Sequence, residues 1–127
     1  VHERVLVGSF SDDRLRTVRR RVGPTLATSA GPREVARAVA ASKGWALPRN
    51  FSALALQVPL KFNGIPVVTK SLVSTAHNSG VEVHVWTIDD AETMTGLLDL
   101  GVDAILTDRP TLLREVLTAR NQWTPFV

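Results

Sequence analysis

The thirty residues from Val81 to Pro110, VEVHVWTIDDAETMTGLLDLGVDAILTDRP, switch between a two-residue and a helical period in an order that few folds accept. Val81, Val83 and Val85 alternate with Glu82, His84 and Trp86, which makes a strand with two distinct faces. The valine face suits the layer between strands and helices. The Glu/His/Trp face would point into a barrel, with Trp86 near the strand's carboxyl end. Asp89 and Asp90 follow, placing acceptors and negative charge where a helix amino terminus is stabilised by them. Ala91, Met94, Leu97, Leu98 and Gly101 fall on or near one apolar stripe, and Gly101 suits a left-handed carboxyl cap. A short apolar strand, Ala104 to Leu106, runs into Thr107 and Asp108. Pro110 then enters the first turn of a last helix, where its missing N–H costs nothing. Strand, helix, strand and helix in such short order mean βα units and a parallel sheet.

The upstream residues repeat this unit. Arg4 to Phe10 reads as a strand, followed by a helix capped by Ser11, with Asp12 and Asp13 in its first turn and Gly23-Pro24 at its end. Leu26 to Thr28 is a short strand, Gly31-Pro32 a turn, and Val35, Ala36, Val39 and Ala40 give the next helix its apolar face before Lys43-Gly44 stops it. Trp45 to Asn50 is a loop and Ala53 to Val58 a third strand. Leu60 to Pro66, containing Asn63-Gly64, is expected to be the longest irregular stretch. A helix over Val68 to Asn78 leads into the diagnostic run. The final helix spans Thr111 to about Asn121, with Leu112, Leu113, Val116 and Leu117 buried, and Trp123 to Val127 form a tail. Five strands, each followed by a helix, correspond to five units of an eight-unit β/α barrel. A complete five-stranded flavodoxin-like domain is the competitor, although no GxGxxG or other phosphate-cradling glycine loop follows the first strand. Periodicity leaves both open.

At 127 residues the chain fits one domain able to bury a core, and 44% hydrophobic against 21% charged residues excludes a disordered chain. No apolar run approaches the roughly 18–20 residues of a membrane helix. Zero cysteines exclude disulfides and thiolate metal sites without identifying the compartment. The sequence opens VHERVLVGSF without an initiating methionine, and its first strand begins almost at once, so it reads as a fragment whose beginning lies elsewhere. The +3 charge is concentrated in Arg14, Arg16, Arg19, Arg20 and Arg21 of one helix. With Leu15, Val18 and Val22 as its buried stripe, the arginines read as a solvated face and not as a nucleic-acid patch, which would interleave them with aromatics.

Val85-Trp86-Thr87-Ile88-Asp89, followed by Leu100-Gly101-Val102-Asp103-Ala104-Ile105-Leu106-Thr107-Asp108-Arg109-Pro110, resembles the carboxyl-terminal end of the glycerophosphodiester phosphodiesterase family. Val7-Gly8-Ser9-Phe10 is similar to the family's strand ending in Ser-Phe, and Ala76-His77-Asn78-Ser79-Gly80 to its A-H-x-x-G helix end. These matches span residues 4 to 117 and favour the barrel: residues 1–127 would be the carboxyl-terminal portion of a single TIM (β/α)8 domain, about strands four to eight. The resemblance implies hydrolysis of glycerophosphodiesters to glycerol 3-phosphate and an alcohol such as choline or ethanolamine, assisted by a divalent cation, calcium or magnesium. It places the catalytic histidines and metal carboxylates in H-R-G, E-x-D, H-D and E-x-K motifs that this sequence lacks. The expected division is therefore that this chain supplies substrate walls, with no catalytic residue and no metal ligand of its own. The missing amino-terminal half is then its partner, since two open sheet edges would otherwise drive aggregation or dimerisation.

By the same resemblance Trp86 lines the barrel mouth, where its indole can wall off the glycerol or headgroup and stack on a choline cation. Phe10 and Gln57 close strands at the same rim and are the wall and hydrogen-bonding candidates. Asp89 matches a position near the substrate side, although Asp89 and Asp108 also suit helix capping. Lys61 could reach a phosphate from its loop. Of the histidines, His2 precedes the first strand and His77 lies at a helix end. His84 lies about 6.6 Å below Trp86 on the same face, where pairing with Glu82 is expected. The rivals are a non-catalytic barrel relative that binds a phosphorylated lipid fragment or a protein, a binding module built on the arginine helix, and a barrel hydrolase of the phosphatidylinositol phospholipase C type.

Overall fold

Parallel pairing in strict chain order organises the molecule. The computed structural model describes residues 4–44 and 46–125. Strand β1 (Leu6–Val7) pairs with β2 (Ala27–Thr28), and an isolated parallel bridge from Ser29 to Ala55 carries the sheet on to β3 (Ala55–Pro59). Two further strands, β4 (Lys61–Phe62) and β5 (Ile65–Pro66), form a separate antiparallel hairpin. The sheet resumes with β6 (Glu82–Trp86) beside β3 and ends with β7 (Ala104–Ile105) beside β6. Helices α1 (Asp12–Val22), α2 (Pro32–Ala41), α3 (Lys70–Asn78), α4 (Ala91–Leu100) and α5 (Pro110–Ala119) occupy the connections. A flavodoxin-like sheet reverses its strand order and is covered on both faces. Here the order never reverses, and only one face is covered, so the chain is an arc of five βα units of a (β/α)8 barrel.

The covered face shows why. Leu56 lies opposite Val83, and Val58 opposite Val85, and all four are fully buried against the helix layer with Leu72 and Met94. Burying each such side chain contributes about 1.5–3 kcal/mol relative to exposure. The other face carries Gln57, Glu82, His84 and Trp86, and no helix covers it. At the ends of the arc, β1 pairs only with β2 and β7 only with β6 among the described residues, leaving two open edges.

The local signals mostly act as read. Ser11 Oγ accepts from the Arg14 N–H, Thr69 Oγ1 from Leu72 N–H and Asp90 Oδ1 from Thr93 N–H, each satisfying an orphan donor at a helix start. Gly101 closes α4 in the left-handed region at φ 96°. Several details differ. Leu60 to Pro66 is no irregular loop, because Asn63 (φ 48°) and Gly64 (φ 76°) make the two-residue turn of the β4–β5 hairpin. In α2 the buried positions are Ala38 and Ala41, with Val35 and Val39 only partly covered. In α1 only Leu15 is fully buried, and Val22 is exposed. Leu112, Leu113, Val116 and Leu117 of α5, expected to be buried, are half-buried, and this helix packs on α4. His2, Trp45 and the last two residues of the expected tail lie outside the described residues. No helix among the described residues is long and apolar enough to cross a membrane.

A polar staple ties α1 to α2. The Arg19 guanidinium donates to both oxygens of Glu34 at 2.9 Å, to Thr28 Oγ1 at 2.8 Å and to the Ser29 carbonyl at 3.2 Å. Glu34 also accepts from the Gly31 N–H at 3.0 Å. Burial pushes the Glu34 carboxyl up, but the Arg19 and Gly31 hydrogen bonds and the charges of Arg19 and Arg37 more than offset it, so its pKa lies below the usual 4.5. A carboxylate lowered on folding stabilises the fold fully above its unfolded pKa and loses that contribution as pH falls through the folded value. Glu34→Gln is therefore expected to cost about 1–3 kcal/mol at pH 7 and to flatten the loss of stability below pH 4.5, measured by urea unfolding across pH 3–7. Parallel pH profiles for the two proteins would remove the pair from the account.

Candidate substrate-binding rim

Parallel register decides which side chains share the uncovered face. Gln57 lies opposite His84 and Pro59 opposite Trp86, so these four point to the same side of the sheet. Ser29 joins them through its bridge to Ala55, itself opposite Glu82. Gly8 completes the floor: a Cβ there would lie 2.9 Å from Gln57 Oε1 and 3.0 Å from Ser29 Oγ. Any larger residue at position 8 would displace the Gln57 amide. In the sequence Gly8 stands out only as part of the Val7-Gly8-Ser9-Phe10 motif. Its need for glycine comes from a neighbour 49 residues away, which no local pattern reveals.

At the carboxyl ends of the strands the face rises into an aromatic corner. Phe10, just past β1, and Trp86, the last residue of β6, meet edge to face with ring centroids 6.0 Å apart and planes at 75°. Phe10 is 84% exposed and Trp86 half-buried, so the corner presents ring surface to solvent at the mouth of the arc. Edge-to-face pairs are worth about 0.5–1.5 kcal/mol beyond their area, enough to hold the rings as one wall. The Trp86–Thr87 peptide is cis.

Below the corner a polar chain runs across two strands. Gln57 Nε2 lies 3.4 Å from His84 Nδ1, and His84 Nε2 lies 2.9 Å from Glu82 Oε2. With the imidazole N–H on Nε2 donating to the carboxylate, Nδ1 accepts from the Gln57 amide. Glu82 thus orients His84, and His84 orients Gln57. The glutamine keeps a second N–H for the concavity, so it can donate to an oxygen bound under the aromatic corner.

The carboxylates are committed elsewhere. Asp89 Oδ1 accepts from Thr107 Oγ1 and from the Asp108 N–H, both at 2.8 Å, and the Asp89 carbonyl accepts from Arg109 at 3.3 Å. Asp89 therefore ties the β6–α4 turn to the β7–α5 turn and is not the cap of α4. That cap is Asp90, whose bonds from the Thr93 backbone and side chain hold its carboxyl below the usual range. Asp108 caps nothing: α5 begins at Pro110 after Arg109, without a side-chain cap. His77 Nε2 contacts Asp103 Oδ2 at 2.7 Å, and the same oxygen accepts from the Val83 N–H, so this histidine fastens the end of α3 to β6. Lys61 is exposed in the β4–β5 hairpin, whose Phe62 and Ile65 are likewise exposed. Among the described residues no three His, Asp or Glu side chains converge as metal ligands would, so these side chains do not by themselves fit a divalent cation.

Comparison with known proteins shows the family. The model of the glycerophosphoryl diester phosphodiesterase family matches residues 2–112. "Probable glycerophosphodiester phosphodiesterase 2" of Mycobacterium tuberculosis is 39% identical over 128 residues, covering 96% of this chain and 48% of that protein. The glycerophosphodiester phosphodiesterase of Caldanaerobacter subterraneus subsp. tengcongensis is 32% identical over 111 residues, 87% of this chain and 41% of that protein. Among solved structures, "Putative glycerophosphoryl diester phosphodiesterase" from Silicibacter pomeroyi superposes with a TM-score of 0.71 at 25% identity, covering 94% of this chain and 39% of that one. The chain thus spans about half the length, or less, of the proteins it matches.

Proposed function

The chain belongs to the glycerophosphoryl diester phosphodiesterase family, and from that premise we propose that it is the carboxyl-terminal half of a barrel that hydrolyses glycerophosphodiesters. In the overall reaction the oxygen of water joins phosphorus, the bond from phosphorus to the alcohol oxygen breaks, and that oxygen takes a proton. The products are glycerol 3-phosphate and an alcohol such as choline or ethanolamine. The observation that carries the reading is the meeting of Phe10 and Trp86 at the carboxyl ends of the strands, above Gln57, which does not close β3 as expected but lies two residues before its end Pro59 on the same uncovered face. That is the end of a β/α barrel where chemistry takes place.

Each residue's part follows from its surroundings. Phe10 and Trp86 form the wall against which the glycerol or headgroup packs, excluding water from one side. Gln57, held by His84, donates to a substrate oxygen. Asp89 acts on the substrate only through the rim, by fixing the two turns that border it. Acid, base and the ligands of a calcium or magnesium ion belong, in this proposal, to strands outside this chain, and no step is assigned to a cation here.

The intact protein is expected to release glycerol 3-phosphate from glycerophosphocholine. Gln57→Leu should lower kcat/KM about 10-fold, as loss of one hydrogen bond to an anionic group implies. Unchanged kinetics in that variant would take Gln57 out of the site. Accumulation of a cyclic phosphate in place of glycerol 3-phosphate would replace the reaction by the phospholipase C type.

A further inference from the structure

The arginines of α1 do not simply radiate into solvent. Arg16, Arg19 and Arg20 face Arg33 and Arg37 of α2 across a groove of about 440 Å³ on the outer, helical side of the arc. Arg16 and Arg20 are four residues apart on one helix, as are Arg33 and Arg37 on the other, so each pair stacks on one helix face. Like charges at that spacing oppose helix formation. The groove sets five arginines against two carboxylates, Asp12 and Glu34, an excess of three that equals the formal net charge of the whole chain, +3.

Both carboxylates are already engaged. Glu34 receives Arg19 and the Gly31 N–H, and Asp12 Oδ1 accepts from the Arg33 N–H at 3.2 Å. Arg19, pinned by Glu34, Thr28 and Ser29, forms a fixed floor. Arg16 makes one exposed pair with Asp13 at 3.0 Å. Arg20, Arg33 and Arg37 are exposed, and none makes an ion pair with a carboxylate among the described residues. Asn50 and Ser52 close one end with neutral polar side chains. Three exposed guanidinium forks lining one groove beside a fixed floor suit phosphate oxygens, which arginine binds in bidentate fashion.

We propose that the groove between α1 and α2 is a binding site for a phosphoryl anion, separate from the aromatic corner and on the opposite side of the sheet. A free phosphate compound and the phosphate of an anionic lipid headgroup share this chemistry. The two sources are told apart by using inorganic pyrophosphate in one arm and vesicles of phosphatidylcholine with 30% phosphatidic acid in the other.

The experiment titrates the intact protein by calorimetry with pyrophosphate at low ionic strength, where screening is weak, and measures cosedimentation with the vesicles. Arg20→Gln/Arg33→Gln/Arg37→Gln should weaken binding at least 10-fold in one arm, while Arg114→Gln, on the exposed side of α5, leaves it unchanged. Loss in the pyrophosphate arm identifies a soluble phosphate ligand. Loss confined to the vesicle arm identifies a lipid headgroup. The same three positions changed to lysine keep the charge without the fork, and should recover less than half of the lost affinity. Three results overturn the proposal: wild-type affinity of the glutamine variant in both arms, no binding by the wild type in either, or full recovery with lysine. All three positions are exposed, and an unchanged unfolding midpoint without ligand separates lost binding from lost folding.

Discussion

Replacing Trp86 by alanine in the intact protein is expected to lower kcat/KM for glycerophosphocholine by about 10–100-fold while leaving the fold in place, a loss of roughly 1.4–2.8 kcal/mol of transition-state binding. The indole ends β6 on the uncovered face, half-buried, with its edge-to-face partner Phe10 almost wholly in solvent. Its removal erases one wall of the mouth and leaves Phe10 without support. A partly desolvated quaternary ammonium on an indole face contributes about 2 kcal/mol, so the penalty should shrink for substrates with uncharged headgroups. Trp86→Phe keeps the wall and should recover most of the activity. Steady-state kinetics on two substrates, one with choline and one with a neutral alcohol, check both statements. Equal losses on the two would keep the wall and discard the cation contact.

Leu56→Ala is expected to destabilise the fold by about 2–5 kcal/mol, the largest stability effect we anticipate from a single methylene-deleting change. Leu56 has no exposed surface and sits in β3, the strand that links the two-stranded β1–β2 piece to β6 and β7. Its cross-strand neighbour Val83 is equally buried, and the helix layer lies over both. The cavity therefore opens where the sheet has no alternative packing. Since domains retain only about 5–15 kcal/mol, the variant should show a clearly lower denaturation midpoint with its slope preserved. Gln57, one residue along and on the opposite face, offers the control: Gln57→Leu should leave the midpoint within about 0.5 kcal/mol. A shift of the same size in both variants would mean that the two faces are not distinct.

Much of this arrangement could be read from the chain. The valine alternation of β6, the Gly101 cap and the Pro110 start predicted elements that are observed within one or two residues. The pairing of His84 with Glu82 was also visible, because residues two apart on a strand share a face. Strand order was not, since periodicity says which face is apolar and nothing about which strands are neighbours. That is why the flavodoxin-like alternative stood until the parallel order β1-β2-β3-β6-β7 excluded it. The β4–β5 hairpin is legible as well: Asn63-Gly64 is a strong two-residue turn signal, and Leu60 and Phe62 before it and Ile65 and Val67 after it alternate with Lys61 and Pro66. Asp89 shows the limit of local rules. Next to a helix start it reads as a cap, yet its partners Thr107 and Asp108 come from the following βα turn. The role of Arg19 was hidden for the same reason: a helix wheel puts it among solvated arginines, whereas Glu34 of the next helix draws it in.

In the function proposed above, residues 1–127 provide walls for a glycerophosphodiester and none of the groups that break it. The direct measurement is glycerol 3-phosphate release from glycerophosphocholine, with calcium or magnesium added, by this segment alone and by the intact protein, after circular dichroism has shown that the segment is folded. Turnover is expected from the intact protein and none above background from the segment. Turnover by the folded segment alone would contradict it.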